Sequence, residues 1–103
     1  MLQAARTALD FLGHASLAEY LSDAMLRSAV ERQIEIIGEA AGRLSDGFRG
    51  AHPEIPWQRI IAQRNVLIHD YGEIDHQRIW KLVMEYIPRL IEQVVPLVPE
   101  PPE

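Results

Sequence analysis

The chain has 103 residues, 48 % of them hydrophobic, and no cysteine. This length and apolar content predict one domain with one core, and the lack of cysteine excludes disulfides and cysteine-based metal sites. The formal charge of −5 argues against a non-specific nucleic-acid binder, which needs a broad basic surface. A nucleic acid would have to meet a local group of arginines, or a surface built from two chains.

The same sequence lacks the signals of export and of membrane insertion. No apolar run approaches the roughly 18–20 residues of a membrane span. The first residues also lack the uninterrupted apolar segment of a signal peptide. We therefore expect a soluble, cytoplasmic protein with no membrane partner, which agrees with the absence of cysteine.

Two helices are predicted at the start of the chain. Apolar residues at spacings of three and four indicate a helix over residues 2–12, and Gly13 is its predicted stop. Ser16, with Glu19 three residues later, has the pattern of a capping box. It predicts a short second helix near residue 18.

The longest amphipathic pattern follows Asp23, a predicted N-cap. It extends over residues 24–45 and contains a patch of small residues between Gly38 and Gly42, which would let another helix approach closely. Gly47 is a predicted C-terminal cap. The glycine- and proline-containing segment 46–56 is predicted to be a loop or a short turn.

Pro56 occupies a position that suits the first turn of a helix. Helical spacing then continues from Trp57 to about residue 69, and Tyr71-Gly72 is expected to end this helix. This helix carries most of the reactive side chains of the chain on its last turns.

The last helix begins after Asp75, its predicted N-cap, and Ile74 and Ile79 form a hydrophobic staple around that cap. Its apolar stripe continues to Val95, and Pro88 lies inside the stripe, where it predicts a kink rather than a break.

No strand alternation is sustained, so the sequence predicts an all-α fold. We expect a small antiparallel helical bundle with three long helices plus a short one. The predicted domain comprises residues 1–95. The proline-rich tail 96–103 is predicted to be extended or disordered.

The densest group of reactive side chains lies between Arg64 and Tyr71. Asn65 and His69 are four residues apart and share a helix face, so Asn65 can orient the imidazole. Arg64 and Tyr71, seven residues apart, project to a neighbouring face. Asp70 lies beside His69, and the two could do no more than cap a helix end.

These side chains permit cleavage of RNA without a metal. His69 can act as general base or acid, and Arg64 can hold a phosphate through two parallel hydrogen bonds. RNA supplies its own nucleophile in the 2′-hydroxyl. One such histidine is a weak complement for both proton transfers, which favours two chains sharing a cleft. Leu67 and Ile68 are predicted to face the core behind the motif.

Other candidate site residues are explained by ordinary structural roles. The four histidines never show the spacing of a helical metal pair, so no metal site is expected. Glu31, Glu35 and Glu39 follow one another at a spacing of four and predict a solvated helix face. Trp57 and Trp80 are predicted to anchor the core or an interface rather than to stack on bases.

Three stretches carry a resemblance to a known family. The first comprises Glu35 to Ala41 with Arg43-Leu44-Ser45 after it, and the second is His52-Pro53-Glu54-Ile55-Pro56-Trp57. The third is an Arg-x4-His-x-Tyr motif formed by Arg64, His69 and Tyr71. Together they resemble the HepT-like toxins of the HEPN superfamily, the ribonuclease half of MntA–HepT toxin–antitoxin modules.

The resemblance implies a helical domain that forms a homodimer, with both motifs meeting in a cleft. It implies a metal-independent endoribonuclease without a cofactor, in which Arg64 and His69 are catalytic; Asn65 and Asp70 would support them. It also implies an antitoxin, a minimal nucleotidyltransferase that silences the toxin by transferring AMP from ATP to Tyr71.

The leading hypothesis is therefore the toxin of a type VII-like toxin–antitoxin system. A second hypothesis is a non-catalytic helical subunit that docks a minimal nucleotidyltransferase and presents Tyr71 to it. A third is a plain helical interaction domain in which the motif is only the polar end of a packed helix.

Overall fold

A computed structural model describes residues 1–69 and 74–98. Over these residues the backbone is helical and contains no strand, which confirms the all-α class. The division into helices is finer than predicted, with seven α-helices and one 3₁₀ turn in the described ranges. They are α1 (Leu2–Leu12), α2 (Leu17–Ser22), α3 (Ala24–Arg43), α4 (Asp46–Ala51), α5 (Trp57–His69), α6 (His76–Glu85), α7 (Ile87–Val94) and a 3₁₀ turn (Val95–Leu97).

The predicted N-caps are confirmed at three helices. The Ser16 hydroxyl accepts a hydrogen bond from the Glu19 backbone N–H at 3.1 Å, and the Glu19 carboxylate accepts one from the Ser16 N–H at 3.2 Å. Asp23 caps α3 and Asp75 caps α6 through equivalent bonds. These contacts satisfy backbone donors that the first helical turn leaves without partners. Gly13, at φ 55°, ends α1 as predicted.

The loop predicted over residues 46–56 is wrong in its first half, where α4 forms. Helix α3 ends at Arg43, and Gly47 lies inside α4 rather than capping α3. A local cap and a contact from α5 explain the extra helix. Ser45 caps it, and the indole N–H of Trp57 donates to the carbonyl oxygens of Arg49 at 3.1 Å and His52 at 3.0 Å.

The interruption predicted at Pro88 is a kink rather than a full break, because Tyr86, which divides the two helices, keeps right-handed helical angles of φ −99° and ψ −40°. Helix α6 ends at Glu85, Tyr86 lies between the helices, and α7 starts at Ile87. Proline has no N–H, and its ring crowds the carbonyl four residues earlier. At the second position of a new helix neither property does harm, so the chain restarts its helix there.

Helix α3 is the centre of the molecule and packs against α1 on one side and α5 on the other. Helix α6 packs against α2, and α7 packs against α1 and α6. Helix α5 runs antiparallel to α3. Its first residue, Trp57, bonds to α4 just beyond the C-terminal end of α3, whereas α6, which follows α5, begins at His76 against Glu31 in the first half of α3. The largest fully buried side chains are Val30, Tyr20, Ile55, Leu67, Ile79, Val83 and Leu90.

The predicted domain boundary near residue 95 stays a prediction. Leu97 in the 3₁₀ turn packs against the core, and residues 99–103 of the predicted tail lie outside the described residues. In the ranges that the structure describes, no helix is both long and apolar enough to cross a membrane.

Candidate active site

Helix α5 is seated on α3 through Gly38. A Cβ atom placed on Gly38 would lie 2.2 Å from the Cβ of Arg64, 2.9 Å from its Cγ and 3.2 Å from the carbonyl oxygen of Ile60. Only a residue without a side chain fits this contact, although glycine inside a helix costs about 1 kcal/mol of propensity. The small-residue patch predicted on α3 therefore fixes the base of the Arg64 side chain.

The guanidinium of Arg64 is only partly engaged. Its Nη1 donates to the side-chain oxygen of Asn65 at 3.3 Å. Its Nε is buried and has no acceptor among the residues that the structure describes. A buried donor without an acceptor is unfavourable, and an arginine fork matches the oxygens of a phosphate. The geometry therefore suits an anionic ligand at Arg64.

The other motif residues are only partly described. His69 is the last residue of α5 by its backbone, and its side chain, like Asp70 and Tyr71, lies outside the described residues. The proposed contact between Asn65 and His69 thus stays a prediction. What the structure adds is that Asn65 contacts Arg64, its direct neighbour in sequence.

The prediction that Leu67 and Ile68 both face the core is half right. Leu67 is buried at 1 % exposure, whereas Ile68 is 38 % exposed. Ile68 follows Arg64 by four residues, about 40° around the helix axis. It therefore lies on the side of α5 that carries Arg64 and is partly exposed there.

The prediction of a solvated glutamate face is wrong for Glu31. This residue is 4 % exposed, and its Oε2 accepts hydrogen bonds from the Tyr20 hydroxyl at 2.8 Å and from His76 Nδ1 at 2.7 Å. The missed signal was spacing, because Glu31 shares a helix stripe with Ile34, Gly38 and Ala41, which are all buried.

Burial of the Tyr20 ring raises the pKa of its hydroxyl, and the hydrogen bond and negative charge of Glu31 raise it further. Tyr20 is therefore a fixed hydrogen-bond donor to Glu31 at neutral pH.

Glu35 and Glu39 fit the original expectation better. They lie at the edge of α3, where the exposed Arg32 forms ion pairs with them at 2.8 Å and 3.6 Å. Pairs at such exposure contribute little stability. These two carboxylates are therefore part of the solvated surface.

The main groove of the molecule is separate from Arg64. It has a volume of about 800 Å³ and lies between α5 and the pair α6–α7. From α5 it is lined by Arg59, Ile60, Ala62, Gln63 and Val66, and Arg64 is not among its lining residues. In a single chain the motif arginine thus lies outside this groove, half-buried against α3.

The two tryptophans anchor the core, as predicted. Trp57 is buried and holds α4, and the indole N–H of Trp80 donates to the carbonyl oxygen of Ala15 at 3.2 Å. Within residues 1–69 and 74–98, no group of three or more histidine, aspartate and glutamate side chains is arranged to hold a metal.

Comparison with known proteins decides the family. The profile of a family described as "Ribonuclease HepT-like" matches residues 1–97. The chain belongs to this family. Membership confirms the resemblance carried by the three motif stretches, and it confirms the prediction of an RNA-cleaving enzyme.

Individual relatives of the family agree. "Putative RNase MJ1380" of Methanocaldococcus jannaschii is 36 % identical over 94 residues, which cover 91 % of this chain and 86 % of that protein. "Probable ribonuclease HepT" of Thermococcus cleftensis is 40 % identical over 81 residues, or 79 % and 74 % of the two chains. "Putative RNase TTE0752" of Caldanaerobacter subterraneus is 38 % identical over 79 residues, or 77 % and 70 %. No solved structure gives a significant match.

Proposed function

We propose that this member of the HepT-like ribonuclease family is the toxin of a toxin–antitoxin pair. It would cleave RNA without a metal, with Arg64 and His69 as catalytic residues. The observation that carries the proposal is the seat of Arg64, whose stem is clamped against Gly38 while its Nε has no acceptor in the described part of the chain. An arginine held in this way is prepared to bind a phosphate.

The proposed reaction uses the nucleophile that RNA already carries. The 2′-oxygen attacks the adjacent phosphorus and gives its proton to a base, for which His69 is the candidate. The bond between phosphorus and the 5′-oxygen breaks, and that oxygen takes a proton. Arg64 stabilises the charge that develops on the phosphate oxygens. Asn65 supports this role because its side-chain oxygen holds Nη1 of the guanidinium; Asp70 remains a proposed supporting residue.

The proposed active unit is a homodimer with a composite site. Two features of the outer surface of α5 support this proposal. Arg64 lies outside the main groove of the single chain, and the apolar side chain of Ile68, four residues on along the same side of α5, is 38 % exposed. A second copy placed over this surface would cover them and enclose the phosphate site.

The proposed control is covalent. A nucleotidyltransferase antitoxin would join the α-phosphate of ATP to the hydroxyl oxygen of Tyr71 and release pyrophosphate. The added phosphate places an anion beside the motif arginine and competes there with RNA. A Tyr71→Phe variant should gain no AMP mass when incubated with the antitoxin and ATP. A variant that is modified as fully as the wild type would assign the AMP to another residue.

The central experiment compares matched pairs of variants in an RNA-cleavage assay and in a growth assay. Arg64→Ala is paired with Arg59→Ala, which removes the same charge from a different face of α5. His69→Ala is paired with His14→Ala, which removes an exposed histidine. We expect losses of about 10²–10⁴-fold for the motif variants and little change for the controls, with circular dichroism unchanged in all four.

Two results would contradict the proposal. Wild-type toxicity and cleavage that survive both motif substitutions would remove Arg64 and His69 from the mechanism. A wild-type protein that binds the nucleotidyltransferase but never cleaves RNA would favour the non-catalytic subunit instead.

A further inference from the structure

The main groove, between α5 and the pair α6–α7, is lined largely by apolar side chains. Its volume of about 800 Å³ lies in the range of sites that enclose a ligand or part of a partner. Ile60, Ile79 and Leu90 are buried in its lining, and Val66 lies there with 39 % of its surface exposed. Covering such an apolar surface with a partner removes it from water and is favourable.

Positive charge borders the groove on both sides. Arg59 lines it from α5, and Arg78 and Lys81 line it from α6. These three side chains are exposed, and none forms an ion pair with a carboxylate of the described residues. The lining also contains Glu85 and Asp75, and Asp75 is engaged as the cap of α6. The groove thus holds three of the ten lysines and arginines but two of the fifteen acidic residues of a chain with a formal charge of −5. A partner with negative charge would complement it.

The groove is about as long as two helical turns. Arg59 and Val66 line it from α5 and are seven residues apart, which is about 10 Å along a helix. Apolar residues at positions i, i+4 and i+7 of a partner helix span the same distance. Insertion of such a stripe into an apolar groove is a common mode of recognition between proteins. The groove therefore fits a short amphipathic helix whose apolar stripe is flanked by acidic residues.

A second copy seated over Arg64 and Ile68 would leave this groove free. Val66 is two residues from Arg64 and two residues from Ile68, and a separation of two residues is about 160° around a helix. The surface proposed for the homodimer therefore lies on the opposite side of α5 from Val66. A different protein can occupy the groove while the two copies stay together.

The groove is lined by residues on both sides of the tyrosine that is proposed to be modified. Tyr71 lies in the sequence between Val66 and Ile74, and both of these residues line the groove. RNA fits less well, because its phosphate is proposed to bind at Arg64, on the opposite side of α5 from Val66. We propose that the main groove is the docking site of the nucleotidyltransferase antitoxin, which inserts an acidic amphipathic helix into it. This inference rests on the proposed function, because it locates the partner that carries out the covalent control.

The first test uses two aspartate variants of one helix. Val66→Asp places a charge in the groove, and Ile68→Asp places the same charge on the opposite side of α5 at nearly equal exposure, 39 % and 38 % for the two original side chains. The affinity of each full-length protein for the purified antitoxin is measured by calorimetry without ATP. We expect Val66→Asp to weaken binding about 10²-fold, because a charge would be buried without a partner. Ile68→Asp should weaken it less than about threefold.

The second test reverses the charge of the α6 side of the groove. Arg78→Glu/Lys81→Glu is compared with Arg6→Glu/Arg43→Glu, which changes the net charge equally at two exposed positions outside the groove. We expect a loss of affinity of about 10²-fold for the groove variant, because it would face acidic residues of the partner. The control should lose less than about threefold. This pair decides the matter if Val66→Asp does not fold.

Activity assays separate docking from chemistry. AMP transfer to the groove variants should show a raised KM for the toxin and an unchanged kcat, because the groove contributes binding that does not change during the reaction. In the absence of the antitoxin, Val66→Asp and Arg78→Glu/Lys81→Glu should cleave RNA at the wild-type rate.

Equal affinity of the groove variants and their controls for the antitoxin would overturn the inference. A groove variant that loses affinity for single-stranded RNA in the absence of the antitoxin would assign the groove to the substrate, and one that changes the oligomeric state would assign it to a second copy. Either result would also overturn the inference. All of these outcomes leave the roles of Arg64 and His69 intact. A wild-type protein that does not bind the nucleotidyltransferase would instead remove the antitoxin from the proposed function, and its docking site with it.

Discussion

Gly38→Ala is the sharpest test of how α3 sets the position of Arg64. The new Cβ would lie 2.2 Å from the Cβ of Arg64, whereas ordinary contact begins at about 3.4 Å. The helices must therefore separate by about 1.2 Å, the difference between these distances. Rotation of the Arg64 side chain gives no relief, because its Cβ is fixed to the backbone and the carbonyl oxygen of Ile60 also lies close.

Two opposing effects set the size of the change in stability. Alanine gains about 1 kcal/mol of helix propensity over glycine. Overpacking a tight contact typically costs about 1–3 kcal/mol, and more when backbone must move. Because backbone must move here, we expect a net loss of about 1–2 kcal/mol and a fall in Tm of at least about 4 °C. A displacement of this size should also lower RNA cleavage about 10²-fold.

Gly42→Ala is the matched control, one turn along the same helix. A Cβ there meets no atom within 4 Å, so this substitution should leave stability unchanged or raise it by up to about 1 kcal/mol. Thermal unfolding and cleavage rates of the two variants measure the contrast. Equal stability and equal activity would show that Gly38 is not what places Arg64.

Two further predictions concern the buried hydrogen bonds. Tyr20→Phe removes one of two donors to Glu31 and should cost about 1.5–3 kcal/mol in urea unfolding at pH 7. Folding raises the pKa of Tyr20, so the stability that its hydroxyl contributes is complete below the ordinary pKa near 10 and declines above it. Between pH 9 and 11 the Tyr20→Phe variant should therefore lose less stability than the wild type. An equal loss in both proteins would contradict the assignment of this pH dependence to Tyr20. Trp57→Phe removes one N–H that two carbonyl oxygens at the end of α4 share, and because both oxygens lose their donor it should cost about 1–3 kcal/mol. Trp80→Phe removes the donor of one carbonyl oxygen and should cost about half as much. The reverse order in urea unfolding would argue against α4 being held by Trp57.

Local signals in the sequence were sufficient to predict where α2, α3 and α6 begin. Ser16, Asp23 and Asp75 each bond within three residues of their own position, so nearby sequence contains all that the contact needs. The apolar stripes likewise predicted most of the core, because the periodicity of a helix and the face it buries are local properties.

Contacts between distant segments explain what could not be predicted. Helix α4 depends on Trp57, which lies beyond its end. Burial of Glu31 depends on His76, 45 residues away. A charged residue on a helix with other charged neighbours is predicted to be exposed to solvent unless its buried partner is known. A single sequence does not identify that partner.

The contact between α1 and α7 has a consequence for how the chain folds during synthesis. Helix α7 packs against α1, so the first and the last α-helices of the described chain are neighbours. Helices α3 and α5, which carry Glu31 and Arg64, are made before that closing contact exists. During synthesis on the ribosome, the face of α1 that contacts α7 therefore stays exposed to solvent until α7 has been made. A chain truncated before α7 would leave this face of α1 exposed.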